Sequence, residues 1–177
     1  MDSQERTRFM TALQQQLIAG GWWLCTAESC TGGLIAHWMT DISGSSACFA
    51  GGVAAYANQV KELMLGVQAE TILQYGAVSA PVAAEMAQGL RDRLSGQFDP
   101  ARLIAVSTTG IAGPGGGTPE KPVGLVYIGI STPHGTRVEE HCWPYDRTGN
   151  KEASSLQALK MVGEFIGETP QTSQKIV

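Results

Sequence analysis

The sequence predicts an α/β protein, a three-layer α/β/α sandwich around one mixed sheet. Two observations support this class. Short apolar runs, typical of buried strands, alternate with segments whose apolar residues recur at helical spacing. Two later strand-like runs are separated by Pro133-His134-Gly135, which predicts a hairpin that closes the sheet. With 177 residues the chain is expected to form a single domain over 1–167, followed by a polar tail over 168–177 that we expect to be frayed.

The first half of the chain follows this alternation of helices and strands. Apolar residues at Phe9, Met10, Leu13 and Leu17 predict a helix over 4–19, which Gly20-Gly21 ends. The run 22–27, which is apolar except for Thr26, then predicts a buried strand. A glycine-rich loop over 28–33 leads into a predicted helix over 34–39.

The second half continues the alternation. We expect strands over 49–56, 103–106, 123–132 and 136–145, and helices over 59–65, 71–75, 80–94 and 151–166. Asn58 is the predicted cap of the helix over 59–65, and Gly66 its end.

Composition and charge narrow the function classes. Hydrophobic residues make up 43% of the chain, enough for a core, and the net charge of -4 argues against a nucleic-acid partner. No run reaches the roughly 18 apolar residues of a membrane span, and residues 1–6 do not resemble a signal peptide. We therefore expect no membrane partner and a cytoplasmic location. The four cysteines form no C-x-x-C pair and the three histidines lie far apart, so we expect reduced thiols and no metal site.

Two loops that follow apolar strands, residues 28–33 and 109–117, are the candidate ligand-binding segments. Loops at the carboxyl ends of strands bind ligands in open α/β sheets. Both loops combine glycines with hydroxyl groups, so their bare N–H groups suit an anion such as phosphate; alternatively, the glycines only make tight turns. Neither loop has a G-x-G-x-x-G or a P-loop pattern, which argues against NAD or ATP.

Three further residues between these loops could carry chemistry: Ser46, Tyr56 and Lys61. Lys61 is predicted in the first turn of a helix, where the helix dipole disfavours a cation and would lower its pKa. A neutral lysine can accept the proton of a serine nucleophile, and a tyrosine can relay a proton. From the spacing alone, a solvated lysine is the favoured interpretation.

Several strings occur in one order along the chain: A-E-S-C-T-G-G over 27–33, G-S-S over 44–46, G-V-A-A-Y-A-N-Q-V-K over 52–61, L-G-V over 65–67, G-A-V-S over 76–79, T-G-I-A-G-P over 109–114 and K-P-V-G over 121–124. Together they resemble the C-terminal domain of the competence/damage-inducible CinA family, in its stand-alone form of nicotinamide-nucleotide amidase (PncC-like). The resemblance runs from about residue 10 to 165. It leaves out the larger N-terminal domain of full-length members, whose activity we do not expect here.

The resemblance implies a reaction, hydrolysis of the carboxamide of nicotinamide mononucleotide to nicotinate mononucleotide and ammonia, without a metal or cofactor. It implies Ser46 as nucleophile with Tyr56 and Lys61, and a homodimer. The substrate-binding residues that it implies are Glu28, Ser29, Thr31, Gly32, Gly33, Ser45, Thr109, Gly110, Ala112, Gly113, Lys121 and Arg147. The chain departs from the family pattern at Tyr145, where a glycine is usual, and at Lys151, where an arginine is usual.

Some alternatives stay open at the level of sequence. Glu28 is either a hydrogen-bond acceptor behind the site or an acid at a helix start, and Lys121 either meets the phosphate or is solvated. Cys30, next to Ser29, is a weaker nucleophile candidate because no histidine lies near it in sequence. The rival function is a catalytically silent module that binds a nucleotide or a partner through the same pocket.

Overall fold

The structure, a computed structural model, describes residues 2–168. Within this range the chain forms α1 (Ser3–Ala19), β1 (Trp23–Glu28), α2 (Leu34–Thr40), β2 (Phe49–Ala54), α3 (Asn58–Leu65), α4 (Ala69–Tyr75), α5 (Ala80–Leu94), β3 (Leu103–Gly110), β4 (Leu125–Thr132), β5 (Gly135–Cys142) and α6 (Arg147–Glu168). Short 3₁₀ turns occupy Ser45–Ala47 and Pro100–Arg102. The predicted polar tail lies outside the described residues except for Glu168, which ends α6.

The five strands form one mixed sheet in the order β2-β1-β3-β4-β5. β1 pairs in parallel with both β2 and β3, whereas β4 pairs antiparallel with β3 and with β5. The predicted hairpin is confirmed, and its turn is Pro133-His134. The predicted mixed sheet is confirmed as well.

Helices cover both faces of the sheet. One core joins α1, α2 and α6 to the sheet through residues such as Leu17, Leu24, Ile104 and Val162. The other joins α3, α4 and α5 to it through Met86 and its neighbours. The apolar residues of β1 and of the first half of β3 alternate between the two cores, which explains why both strands contain a run of mostly apolar residues. The three-layer α/β/α sandwich is thus confirmed.

Several predicted boundaries need correction. α3 begins at Asn58 itself, and Ala57 occupies the N-cap without a side-chain hydrogen bond, so the prediction that Asn58 caps this helix is wrong. α6 begins four residues earlier than predicted because the Asp146 carboxylate accepts a hydrogen bond from the Gly149 N–H (2.8 Å) and starts the helix there. β3 extends to Gly110, so Thr109 and Gly110 belong to a strand and not to a loop.

The chain order creates a crevice at one edge of the sheet. From β1 the chain passes through α2 to β2 on one side, and from β2 it passes through α3, α4 and α5 to β3 on the other side. Because these connections cover opposite faces, they diverge at the carboxyl ends of β1 and β3. This is the topological switch point at which open α/β sheets bind their ligands. Among residues 2–168, no helix is long and apolar enough to cross a membrane.

Candidate active site

A cavity of about 300 Å³ occupies this crevice. Its walls come from the segments that follow β1 and β2, from the end of β3 with the loop after it, from the segment between α4 and α5, and from the start of α6. The lining residues are Ser29, Cys30, Tyr56, Asn58, Lys61, Ala77, Val78, Thr109, Gly110, Ile111, Ala112, Gly113, Gly115, Gly116 and Arg147. The two loops that the sequence singled out therefore meet at one site.

Ser29 is the serine that the fold brings into the cavity. It directly follows β1, and its N–H donates to the Thr108 carbonyl of β3 (2.9 Å). Its own carbonyl accepts from the Gly32 N–H (3.1 Å), which closes a tight turn. Gly32 and Gly33 have φ values of +64° and +94°, in the left-handed region that favours glycine. Ser29 is thus held by backbone bonds on both sides.

Glu28 lies behind Ser29 and organises the loop. Its carboxylate is fully buried and accepts four hydrogen bonds, from the Thr31 hydroxyl (2.7 Å) and from the N–H groups of Gly33 (2.9 Å), Ile35 (3.1 Å) and Ala36 (2.9 Å). The carboxylate therefore caps the start of α2 from the end of the neighbouring strand. The two readings of Glu28 are both partly right, since it is an acceptor behind the site and an acid at a helix start.

Thr31 links the Glu28 carboxylate to the neighbouring strand β3. Its single hydroxyl proton goes to Glu28, because a carboxylate only accepts. The Thr31···Thr108 bond (2.7 Å) is therefore donated by Thr108. Glu28, Thr31, Gly32 and Gly33 do not line the cavity, so the structure gives these four predicted binding residues a supporting position.

Lys61 is the most unusual group at the site. Its side chain is buried, with only 2% of the residue exposed, and its Nζ donates to the Tyr56 carbonyl at 3.3 Å. Burial lowers the pKa of the Lys61 amine below its ordinary value, and the nearby Cys30 partly opposes this shift. A lysine with a lowered pKa is suited to act as a neutral base.

Cys30 lines the same cavity but is poorly suited to nucleophilic attack. Burial raises the pKa of its thiol to about 12. The reactive form of cysteine is the thiolate, so the thiol is inert near neutral pH. This finding favours Ser29 over its neighbour.

Arg147 spans the mouth of the cavity. One guanidinium nitrogen donates to the Tyr56 hydroxyl (2.9 Å) and another donates to the Gly113 carbonyl (2.6 Å). Because the Tyr56 oxygen accepts from Arg147, its own proton is available to a ligand. All lining residues lie in the described part of the chain, and the two that ordinarily carry charge, Lys61 and Arg147, are both basic. The cavity therefore suits a ligand with an anionic group.

The structure does not bring Ser46 to Tyr56 and Lys61. Ser46 lies exposed in a 3₁₀ turn before β2, and the Cys48 carbonyl beside it bonds to Leu24 at the start of β1. Tyr56 and Lys61 follow the other end of β2. At about 3.3 Å per residue this six-residue strand is roughly 17 Å long. Neither Ser45 nor Ser46 lines the cavity. The prediction that these two serines lie at one site with Tyr56 and Lys61 is therefore wrong for the single chain.

Lys121 also lies elsewhere than predicted. Its ammonium donates to the carbonyls of Tyr75 and Val78, at 2.7 Å each, and it does not line the cavity. The partly exposed Lys121 thus lies outside the cavity, with its ammonium held by two backbone carbonyls. Outside the two candidate loops, sequence reasoning missed three lining residues, Asn58, Ala77 and Val78, although all of them lie within strings of the family resemblance.

The fold and the site define a class of protein. It is a three-layer α/β protein whose ligand cavity lies at the switch point of the sheet, between glycine-rich backbone and two basic side chains. The chain belongs to the CinA family: the model of the CinA C-terminal domain matches residues 6–166.

Individual relatives agree with this assignment. A CinA-like protein of Acidobacterium capsulatum is 50% identical over 139 residues, which cover 78% of this chain and 32% of that protein. A putative competence-damage inducible protein of Caldanaerobacter subterraneus is 43% identical over 94% of this chain and 38% of its own length. The chain thus spans about a third of the length of these curated relatives.

Solved structures show the same fold over nearly the whole chain. The competence/damage inducible protein CihA of Agrobacterium tumefaciens has a TM-score of 0.83 and 38% identity, and the match covers 92% of this chain and 96% of that one. A CinA superfamily protein of Escherichia coli has a TM-score of 0.84 and 27% identity, with 93% of each chain covered.

Proposed function

We propose that this chain hydrolyses the carboxamide of nicotinamide mononucleotide to nicotinate mononucleotide and ammonia, a salvage reaction of pyridine nucleotides. The observation that carries the proposal is Lys61, a buried amine with a lowered pKa in the same cavity as a hydroxyl nucleophile, Ser29. Serine and a neutral lysine form a known variant of the acyl-transfer machinery. The family resemblance supplies the substrate class.

Ser29 takes the role of nucleophile in this proposal, because Ser46 lies at the other end of β2. The Ser29 oxygen attacks the carboxamide carbon while Lys61 accepts the hydroxyl proton. The C–N bond then breaks, and Lys61 returns the proton to the leaving nitrogen, which departs as ammonia. Water attacks the resulting ester with Lys61 as base again, the carboxylate leaves, and Ser29 recovers its proton.

Two other residues have roles in holding the substrate. Arg147 provides the guanidinium that binds the 5′-phosphate, and its present partners, a phenol and a carbonyl, are neutral groups that an anion can replace. Tyr56 offers its hydroxyl proton to the bound ligand. The glycine-rich backbone over 110–116 lets the ligand approach the chain closely.

Paired serine substitutions test this proposal. Ammonia release from nicotinamide mononucleotide is measured, with EDTA present, for the unmodified chain, Ser29→Ala and Ser46→Ala. We expect Ser29→Ala to abolish turnover while Ser46→Ala, at an exposed position, retains most of it. The reverse result would return the nucleophile to Ser46 and require that a second copy delivers it. An unmodified chain that binds the nucleotide without releasing ammonia would support the silent binding module.

We also propose that the chain assembles as a homodimer. α3 and α4 both pack on α5, and on them four large apolar side chains are exposed: Leu63, Met64, Leu73 and Tyr75. Leu73 is 89% exposed. Neighbouring apolar side chains in solvent are typical of an association surface. Light scattering should give twice the mass of the chain, and Leu73→Glu should shift it toward the monomer.

A further inference from the structure

Residues 75–78, the last residue of α4 and the three that follow it, form a segment that is fixed by side chains. Its four successive carbonyls each accept a hydrogen bond from a side chain. The Tyr75 and Val78 carbonyls accept from Lys121 (2.7 Å each), the Gly76 carbonyl accepts from Ser79 (2.8 Å), and the Ala77 carbonyl accepts from Thr109 (2.6 Å). The position of this segment therefore depends on three side chains.

The same segment is a wall of the cavity. Ala77 and Val78 line it on one side, and the loop that follows β3 lines it on another. Lys121 belongs to that loop. Its backbone is held there in a turn with Thr118, since the Lys121 N–H donates to the Thr118 hydroxyl (3.0 Å) and the Thr118 N–H donates to the Lys121 carbonyl (2.8 Å).

We propose that Lys121 is a positioning residue that ties the loop after β3 to segment 75–78 and thereby sets the width of the cavity. The ammonium acts on two backbone carbonyls and not on the ligand. Charged donors form the stronger class of hydrogen bond, so one side chain is sufficient to hold both carbonyls. Gly76 fits this arrangement, because a Cβ at that position would lie 3.0 Å from the Lys121 Nζ.

The consequence for catalysis rests on the proposed function. A lysine that contacts the 5′-phosphate matters only for a phosphorylated substrate, whereas a lysine that shapes the cavity matters for every substrate. Nicotinamide mononucleotide and nicotinamide riboside differ by that phosphate. The comparison of the two substrates therefore separates the two roles of Lys121.

The experiment uses Lys121→Met, with Lys160→Met as the matched control at an exposed lysine of α6. We expect Lys121→Met to raise KM for both substrates by the same factor, roughly tenfold to a hundredfold, the range for a lost charge-assisted bond. The Gly76 N–H donates to the Ile72 carbonyl (2.8 Å), and hydrogen exchange of this amide should accelerate at least about tenfold in the full chain. Lys160→Met should change neither quantity.

Two results would overturn the proposal: a loss confined to the phosphorylated substrate, or unchanged exchange of the Gly76 amide. The exchange measurement needs no turnover, so faster exchange in a chain that hydrolyses neither substrate would reject the proposed function and keep the role of Lys121. Should Lys121→Met fail to fold, Lys121→Gln keeps a polar side chain that is too short to hold both carbonyls. It should accelerate exchange of the same amide, and unchanged exchange in that variant would equally reject the proposal.

Discussion

Replacing Lys61 by methionine should make the protein more stable and far less active. Methionine keeps the side chain as far as its ε-carbon and removes the amine. General-base catalysis typically contributes 10²- to 10⁴-fold, so we expect kcat to fall by roughly that factor. Stability should rise because the buried amine is held in an environment that disfavours its charge.

The sign of the stability change follows from the lowered pKa of Lys61. The unfolded chain binds the proton up to its ordinary pKa of about 10.5, whereas the folded chain releases it at lower pH. Between these two values the unfolded state holds more protons, so the stability of the unmodified protein rises with pH in that window. The advantage of Lys61→Met should therefore be full at low pH and shrink as the pH approaches about 10.5. Each kcal/mol corresponds to roughly 2–4 °C in Tm for a chain of this size.

The assay combines ammonia release with thermal unfolding at pH 7 and pH 10, and Lys61→Arg is the matched control. Arginine stays protonated, so it should be as inactive as methionine, but it should lower Tm because its buried charge cannot be neutralised. A wild-type rate in Lys61→Arg would show that the position supplies only positive charge. The contrary result is a Lys61→Met protein whose Tm is lower than that of the unmodified chain by the same amount at both pH values. It would refute the free-energy cost that we assign to the buried amine.

Two further predictions concern Glu28 and Arg147. Glu28→Gln keeps the size of the side chain but presents an NH₂ group to at least one of the four donors that the carboxylate now accepts from. We therefore expect the free energy of unfolding to fall by about 1–3 kcal/mol, and kcat to change more than KM. An unchanged Tm would contradict the role of Glu28 in holding the loop. Arg147→Ala should reduce kcat/KM for nicotinamide mononucleotide roughly tenfold to a hundredfold and leave nicotinamide riboside nearly unchanged, and equal losses on both substrates would argue against a phosphate contact.

The central strands were predictable because their burial on both faces leaves a continuous apolar run. The end of β3 was not, since Ser107, Thr108 and Thr109 have the composition of a loop. Each of these hydroxyls has a tertiary partner: Ser107 bonds to the Ala83 carbonyl, Thr108 to Thr31, and Thr109 to the Ala77 carbonyl. Such partners lie 24 to 77 residues away along the chain, so a local pattern cannot show them.

The two loops and Lys61 were predicted to lie at the candidate site and they line the cavity, whereas Ser46, the predicted nucleophile, lies outside it in the single chain. The predicted strand over 49–56 already separated Ser46 from the helix that carries Lys61. Strand direction places whatever precedes β2 at the amino edge of the sheet, and the switch point lies at the carboxyl edge. Ser29 follows β1 and so lies at the same edge as Lys61. The topology favoured Ser29, whereas the family resemblance implied Ser46.

Two lysines at this crevice show why residue type alone does not assign a role. An ammonium has three protons to donate. The Nζ of Lys121 faces two carbonyls at 2.7 Å, and the nitrogen is fixed as a link between two segments of backbone. The Nζ of Lys61 has one carbonyl, at 3.3 Å, in a buried position that lowers its pKa. Because acceptors favour the charged form and burial disfavours it, the lysine with fewer acceptors is the one suited to give up a proton and take it back. The acceptors around each nitrogen, which only the folded chain brings together, therefore distinguish the candidate base from the structural link.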